Sequence, residues 1–363
     1  MKHISTFILS FIILATTTVW ANDSEYFVIG NQLVPLQQTS ICVTKEILSI
    51  DLRDDSTAYV NVYYEFNNPE NTPKTIIMGF EADPPYFCED RIKASPYEHP
   101  YIKKFTVDIN GQRILHKNAI SEVGKFRPIN KPINLCIYND DENAEPIDGN
   151  LAYVYYFEAT FHPGINKVRH TYRYMLGYSV DILYFLDYKL TPAARWANKQ
   201  IDDFTLIVSA KQSTKHFFIP TICIPGAKPN ITMGVGKTRL TKNDYNDDLE
   251  EWEVALRKGA ISFHIKNFRP QKELCVHSGR RLHTYDRAYC NVAYYDWTDF
   301  TDFQLRIIRN LPYASRGHVF KNQQLKQFFE SCFWYIPDPN YKDETSDFTP
   351  SEWKCINMKP KNK

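Results

Sequence analysis

The sequence predicts a mainly β chain, an antiparallel sandwich, that ends in a small α-helical module. Three observations carry this. From about residue 26 to 268, apolar and polar residues alternate in short runs with a period of two, the signature of half-buried strands. Aromatic residues make up 15% of the chain, with 24 Tyr and 23 Phe, and large flat side chains suit a pleated surface. Beyond about residue 297 the period changes to that of a helix.

The elements follow in order. Val60, Val62, Tyr64 and Phe66 alternate with Tyr59, Asn61, Tyr63 and Glu65, so one set faces a core. Phe105, Val107 and Ile109 run into Asn110-Gly111. That pair favours a tight hairpin, because both of its positions need positive φ, and a return strand through Arg113–Leu115 is expected. Tyr153, Tyr155, Phe157, Ala159 and Phe161 share a face, and Val154 and Tyr156 make the other face apolar too, as in a strand buried on both sides. After His162–Asn166, Val168, His170, Tyr172 and Tyr174 alternate again, which reads as a second hairpin. His170 is expected to be half-buried and hydrogen-bonded. Further strands are expected at 182–190, 204–208, 253–256 and 261–268, with Pro and Asn/Asp clusters such as Asp83-Pro84-Pro85 and 139–145 between them. Residues 271–295 read as a connection. Phe303, Ile307, Ile308 and Leu311 then recur at helical spacing, with Asp299 or Thr301 as N-cap, and Pro312 is expected to end or kink the helix at once. Leu325, Phe328, Phe329 and Cys332 form a second helical stripe. The expected organisation is a signal peptide at 1–21, a β-rich region at 22–270, the connection at 271–295 and the helical module at 296–363.

The signal peptide rests on Lys2, the apolar run Phe7–Ala15 and the small residues of Val19-Trp20-Ala21. The run is too short to span a bilayer, so the expectation is export to the periplasm or beyond, cleavage after Ala21 and no integral span afterwards. Lys and Arg number 43 against 42 Asp and Glu. Losing Lys2 balances them, which gives no bulk attraction to nucleic acid or anionic lipid. The eight Cys lack any CxxC, so a zinc site or redox pair of that type is not supported. In an oxidising compartment disulfides are the default, and the sequence-local pairs Cys275–Cys290 and Cys332–Cys355 are the expected ones.

The run from Leu305 to Lys321, including Arg309-Asn310, Tyr313-Ala314, Arg316-Gly317 and Phe320, continues through Leu325, Phe329 and Trp334-Tyr335. It resembles the core of the YARHG domain, a small module of exported or surface bacterial proteins. Ser315 and Arg316 stand where the family motif has Arg and His. The resemblance implies location and architecture rather than a chemistry. The residues alone point the same way. Gly317 suits a left-handed C-cap, Arg309 or Arg316 can cap the last carbonyls of the first helix, and Tyr313, Phe320, Trp334 and Tyr335 make an aromatic core between short helices. A second likeness, at Leu183–Thr191, Trp196 and Ile201–Phe204, is to an uncharacterised family of exported bacterial β-rich domains.

Other motifs fall short. Gly234-Val235-Gly236-Lys237-Thr238 lacks the first Gly of a phosphate loop, since Ile231 stands there, and reads as a turn between strands. Asp244, Asn246 and Asp248 open like a calcium loop, but Leu249 and Ala255 replace its Gly and Glu. With Asp247, Glu250 and Glu251 they read as an acidic surface loop. Cys275, His277 and His283 match no zinc spacing and read as a disulfide beside surface histidines. No catalytic, cofactor or metal residue is assigned. The leading expectation is an exported binding or structural protein whose module contacts an envelope protein or cell-wall glycan. The alternative is a hydrolase of wall polymer or peptide, which requires two carboxylates facing one cleft.

Overall fold

A computed structural model describes residues 29–30, 33–35, 39–54, 56–82, 102–122, 151–179, 182–211, 215–244, 246–279, 301–342, 345–346 and 348–359. The signal sequence, Asp83-Pro84-Pro85, 139–145, His283, Asp299 and Cys290 lie outside these residues.

The strands are β1 (Ile29–Gly30), β2 (Leu33–Pro35), β3 (Cys42–Leu52), β4 (Thr57–Asn68), β5 (Lys74–Ala82), β6 (Ile102–Ile109), β7 (Gln112–Ile114) and β8 (Lys117–Glu122). They continue as β9 (Leu151–Phe161), β10 (Gly164–Met175), β11 (Phe185–Tyr188), β12 (Ile201–Ala210), β13 (His216–Pro220), β14 (Asn230–Lys242), β15 (Glu250–Phe268) and β16 (Leu274–His277). Twelve form one sheet in the order β1-β11-β16-β13-β15-β12-β3-β4-β10-β6-β7, with β14 on the other side of β15. Four form a smaller sheet, β2-β5-β9-β8. The large sheet is mixed, because β12 runs parallel to β3 and β1 parallel to β11.

The small sheet covers the β4–β10–β6 part of the large one. Phe66 packs on Phe161 at 5.5 Å, Phe80 on Tyr172 at 5.1 Å, and Phe105 stacks on Tyr155 at 4.9 Å. The alternation in β4 is realised: Val60, Val62, Tyr64 and Phe66 are fully buried. Asn110 and Gly111 both take positive φ, 51° and 83°, and close the β6–β7 hairpin. On β9, Tyr155, Phe157, Ala159 and Phe161 are buried; on the other face Val154 is buried and Tyr156 half-buried, as expected, whereas Glu158 and Thr160 further along are exposed, so the second face is covered only in the first part of the strand.

The hairpin expected around His162–Asn166 does not form. β9 pairs with β5 and β8, and β10 pairs with β4 and β6, so the chain turns a corner from one sheet to the other. Asn166, fully buried, holds the corner. Its Oδ1 accepts from the His162 N–H at 2.9 Å, and its Nδ2 donates to the His162 and Gly164 carbonyls at 2.7 and 3.0 Å. Two strands expected at 253–256 and 261–268 are one, β15, bent at Gly259 with φ 93°. β16 comes from the stretch read as a connection. His170 is not half-buried: it is fully enclosed, and neither ring nitrogen has a hydrogen-bond partner among the described residues.

The helices are α1 (Asp302–Ala314), α2 (Gln323–Ser331) and α3 (Pro350–Ile356). Thr301 caps α1 through a reciprocal box with Gln304, and Asn322 caps α2. Pro312 does not stop α1 at once. It lies in the last turn, is itself buried, and forfeits only the bond an N–H would have made to Ile308. A second core of Ile307, Leu311, Ala314, Phe320, Leu325, Phe329, Cys332 and Tyr335 joins α1 to α2. Among the described residues no helix is long and apolar enough to cross a membrane.

Candidate functional site at the seam between sheet and helical module

β15 alternates Trp252, Val254 and Leu256 towards the main core with Glu251, Glu253 and Ala255 on the opposite face. Both carboxylates are about 1% exposed, so each must be paired. Neighbouring strands supply the partners. Glu253 accepts from Arg239 Nε of β14 at 2.6 Å and meets His216 Nε2 of β13 at 2.8 Å. Glu251 accepts from Asn243 Nδ2 at 2.8 Å and meets His277 Nε2 of β16 at 3.2 Å. Phe218 stands between the two histidines, 5.1 Å from His216 and stacked on His277 at 5.6 Å. Burial alone would raise the Glu253 carboxyl, but His216 and Arg239 outweigh it and hold the group below the usual carboxylate range.

The stretch after α2 lies over this row. The Phe333 ring sits 6.3 Å from His216, with the Arg239 guanidinium 4.4 Å and the Lys237 ammonium 5.0 Å from its centroid. Both cations lie over the Phe333 ring, where the ring quadrupole attracts them, and the Arg239 side chain stays 53% exposed. Lys237 Nζ also donates to the Tyr335 carbonyl at 3.1 Å, and Arg257 donates to the Pro337 carbonyl at 2.8 Å and pairs with Asp338 at 3.4 Å. Burial and the nearby Arg239 charge lower the Lys237 pKa. The module is thus clamped by cations from β14 and β15 onto the outer face of the large sheet.

The motif residues serve the module's own frame. Arg316 makes two bonds to Glu352 of α3, at 2.7 and 3.0 Å, donates to the Pro312 carbonyl at 2.9 Å and covers Phe348 at 4.2 Å. Arg309 Nε donates to the Met358 carbonyl at 2.6 Å, and Asn310 to that of Arg306 at 2.7 Å. Gly317 takes φ 93° and lies against residues 336–338, where an added Cβ would meet Asp338 Cβ at 2.9 Å. Tyr335 donates its hydroxyl to the His318 carbonyl at 2.6 Å. Phe320, Tyr335 and Ala314 are buried and Trp334 is half-buried, while Tyr313 packs on Phe348 at 5.1 Å rather than between α1 and α2. Val319 and Trp353 remain 45% and 39% exposed.

Several sequence expectations are corrected here. Gly234–Thr238 is not a turn but the middle of β14. Glu251 belongs to a buried strand face, not to the acidic loop, and His277 is buried rather than on the surface. Cys275 and Cys332 are thiols, so neither Cys275–Cys290 nor Cys332–Cys355 is formed. Cys275 is held at mid-strand beside Asp187, and Cys332 turns its Sγ back to the Phe328 carbonyl at the end of α2. Cys355 is disulfide-bonded, to a partner other than Cys332. Missed altogether were His216, Arg239, Glu253 and Phe333. The alternation of Glu251 and Glu253 with Trp252, Val254 and Leu256 was the available signal. Among the described residues no group of three or more His, Cys, Asp or Glu has metal-binding geometry.

Of solved structures, 89 chains match. A Legionella pneumophila protein named for a suspected nutrient-binding role is 18% identical, with 93% of this chain and 99% of that one covered and a TM-score of 0.49. An M1 zinc metallopeptidase from Deinococcus radiodurans is 10% identical over 67% of this chain and 43% of its own, at a TM-score of 0.26. An aminopeptidase N family protein from Idiomarina loihiensis is 9% identical over 64% and 29%, at 0.27. This chain therefore spans less than half of either peptidase. No curated protein matches it. A domain of unknown function, DUF4424, matches residues 21–125; the 183–204 stretch lies outside that range but joins the same large sheet through β11 and β12. Residues 288–358 match the YARHG domain, so the chain carries a YARHG domain behind an uncharacterised N-terminal domain.

Proposed function

We propose that this is an exported, non-catalytic binding protein, in which the β scaffold holds the YARHG domain rigidly and presents its outer surface to an envelope protein or cell-wall glycan. The clamp of Phe333 between Arg239, Lys237 and His216 is the observation that supports it most. A module whose Phe333 is held by three side chains of the β scaffold is positioned for presentation. Its motif arginines are committed to internal bonds, which leaves Trp353 and Val319 as its large exposed apolar side chains among the described residues. A hydrolase needs one carboxyl kept protonated and another open to substrate. Glu251 and Glu253, the paired acids of the seam, are both bonded, and Glu253 is held low.

The test is co-sedimentation of the full-length protein with purified cell-wall glycan, alongside capture from envelope extracts. Trp353→Ser is expected to weaken binding roughly tenfold and, because the ring also packs 5.6 Å from Phe348, to lower the thermal midpoint by a few degrees; Trp353→Phe should weaken binding with the midpoint kept. Turnover of wall polymer or peptide by the purified protein, with no binding partner, would overturn the reading.

A further inference from the structure

Close to the seam the fold brings two thiols together. Cys223 ends the short 3₁₀ turn Thr221–Cys223 that follows β13. Cys275 is the second residue of β16, in register with Asp187 of β11. β13 and β16 are neighbours in the sheet, meeting at Phe218 and His277. Cys223 is 5% exposed, and Cys275 packs against the same apolar cluster. Cys223 lies close enough to Cys275 for each to affect the other's titration, and Asp187, in register with Cys275, raises the Cys275 thiol further. The other two thiols among the described residues are engaged elsewhere: Cys42 with the Ser40 carbonyl and Cys332 with that of Phe328.

We propose that Cys223 and Cys275 are a dithiol that a disulfide-bearing oxidant closes into a cross-link, tying the turn after β13 to the last strand before the helical module. The proposal rests on the export reading for its oxidant. One cysteine thiolate attacks a sulfur of the oxidant's disulfide and expels the first oxidant thiolate. The second cysteine then attacks the mixed disulfide and expels the other. The two Sγ atoms are joined and lose two electrons, and the oxidant leaves as two thiols carrying the two protons. The strands that meet here are short, four residues in β11 and β16 and five in β13, so their edge gains most from a covalent tie. Burial pushes Cys223 up to about 11 and Cys275 well above the usual thiol range. In the folded protein both are therefore slow to react, and exchange proceeds through local opening of this edge.

The experiment takes the purified full-length protein, oxidises it with glutathione disulfide in mild denaturant, refolds it, alkylates the remaining thiols and maps the peptides by mass spectrometry. A Cys223–Cys275 linked peptide is expected. Cys223→Ser should leave Cys275 alkylated, and Cys275→Ser should leave Cys223 alkylated. Reduction should lower the thermal midpoint of the oxidised wild type by roughly 5 °C, beyond any fall seen in either variant. Two alkylated thiols after oxidation, or a link from either one to another cysteine, would overturn the proposal. Protein isolated from its native host separates the two readings: a link that forms in vitro but is absent there counts against export and leaves the chemistry of the pair standing.

Discussion

Replacing His170 with Phe is expected to flatten the acid limb of this protein's stability curve. His170 lies wholly inside the sandwich, among Tyr64 at 5.7 Å, Phe80 at 5.4 Å, Phe105 at 5.9 Å and Tyr172 at 5.9 Å. Burial depresses its pKa from 6.5 to about 3, because no nearby group compensates an imidazolium there. The sign follows from proton counting. Between about pH 6.5 and 3 the unfolded chain binds a proton at this residue and the folded chain does not, so stability falls as pH falls through that window. At one RT ln 10 per unit the loss is on the order of 3 kcal/mol at pH 4 and approaches about 5 kcal/mol near pH 3. Phe removes both the titration and two buried nitrogens without partners, while keeping a flat ring of similar size. Urea midpoints at pH 7 and pH 4 check this: the wild type should lose about 3 kcal/mol more than the variant between them. Equal losses would show that His170 is solvated or paired in solution. Phe rather than Ala is the informative change, since Ala would add a cavity cost of several kcal/mol at every pH.

That residue also marks where the sequence stops being legible. The alternation of β10 put His170 on the face shared with Tyr172 and Tyr174, and it is there. The alternation could not say that a second sheet lies on that face, because β5 and β9 arrive from elsewhere in the chain. The same ambiguity produced the false hairpin. His162–Asn166 has the residues of a tight turn, and a turn between paired strands looks locally like a corner between sheets. Only the burial of Asn166 and its bonds to the His162 and Gly164 backbone distinguish them. Local signals did better. Asn110-Gly111 has its positive φ values, Thr301 is a cap, and Gly317 is left-handed. Even α3 was within reach, since Thr349-Pro350-Ser351-Glu352 forms a complete capping box. The seam was hidden for the reason the sandwich was. Charges in a run such as 250–253 are ordinarily solvated, and what buries Glu251 and Glu253 comes from residues 216, 239, 243, 277 and 333.

The second large effect is expected at Arg316, where the sequence departs from the family pattern and the structure shows a keystone. Its side chain and that of Glu352 are only 8% and 4% exposed, and the pair joins the end of α1 to α3, beside the Arg309 bond to the Met358 carbonyl and the Tyr313–Phe348 contact. Removing one member leaves the other charged, buried and unmatched, so Arg316→Ala should destabilise the module by about 3–5 kcal/mol. Arg316→Lys keeps the charge but loses the two-pronged geometry and the planar contact with Phe348, and should cost about 1–3 kcal/mol. The loss should be local. Hydrogen exchange ought to speed up in α1 and α3, while amides of β3, β4 and β10 keep their protection, since the two cores are separate clusters. Uniform acceleration across the β sandwich would mean that the clamp at Phe333 couples the two parts into one cooperative unit. In that case Arg239→Ala, which strips the clamp but not the keystone, should restore protection differences between them. A pattern in which Arg316→Ala leaves every amide unchanged is incompatible with a buried pair at this position.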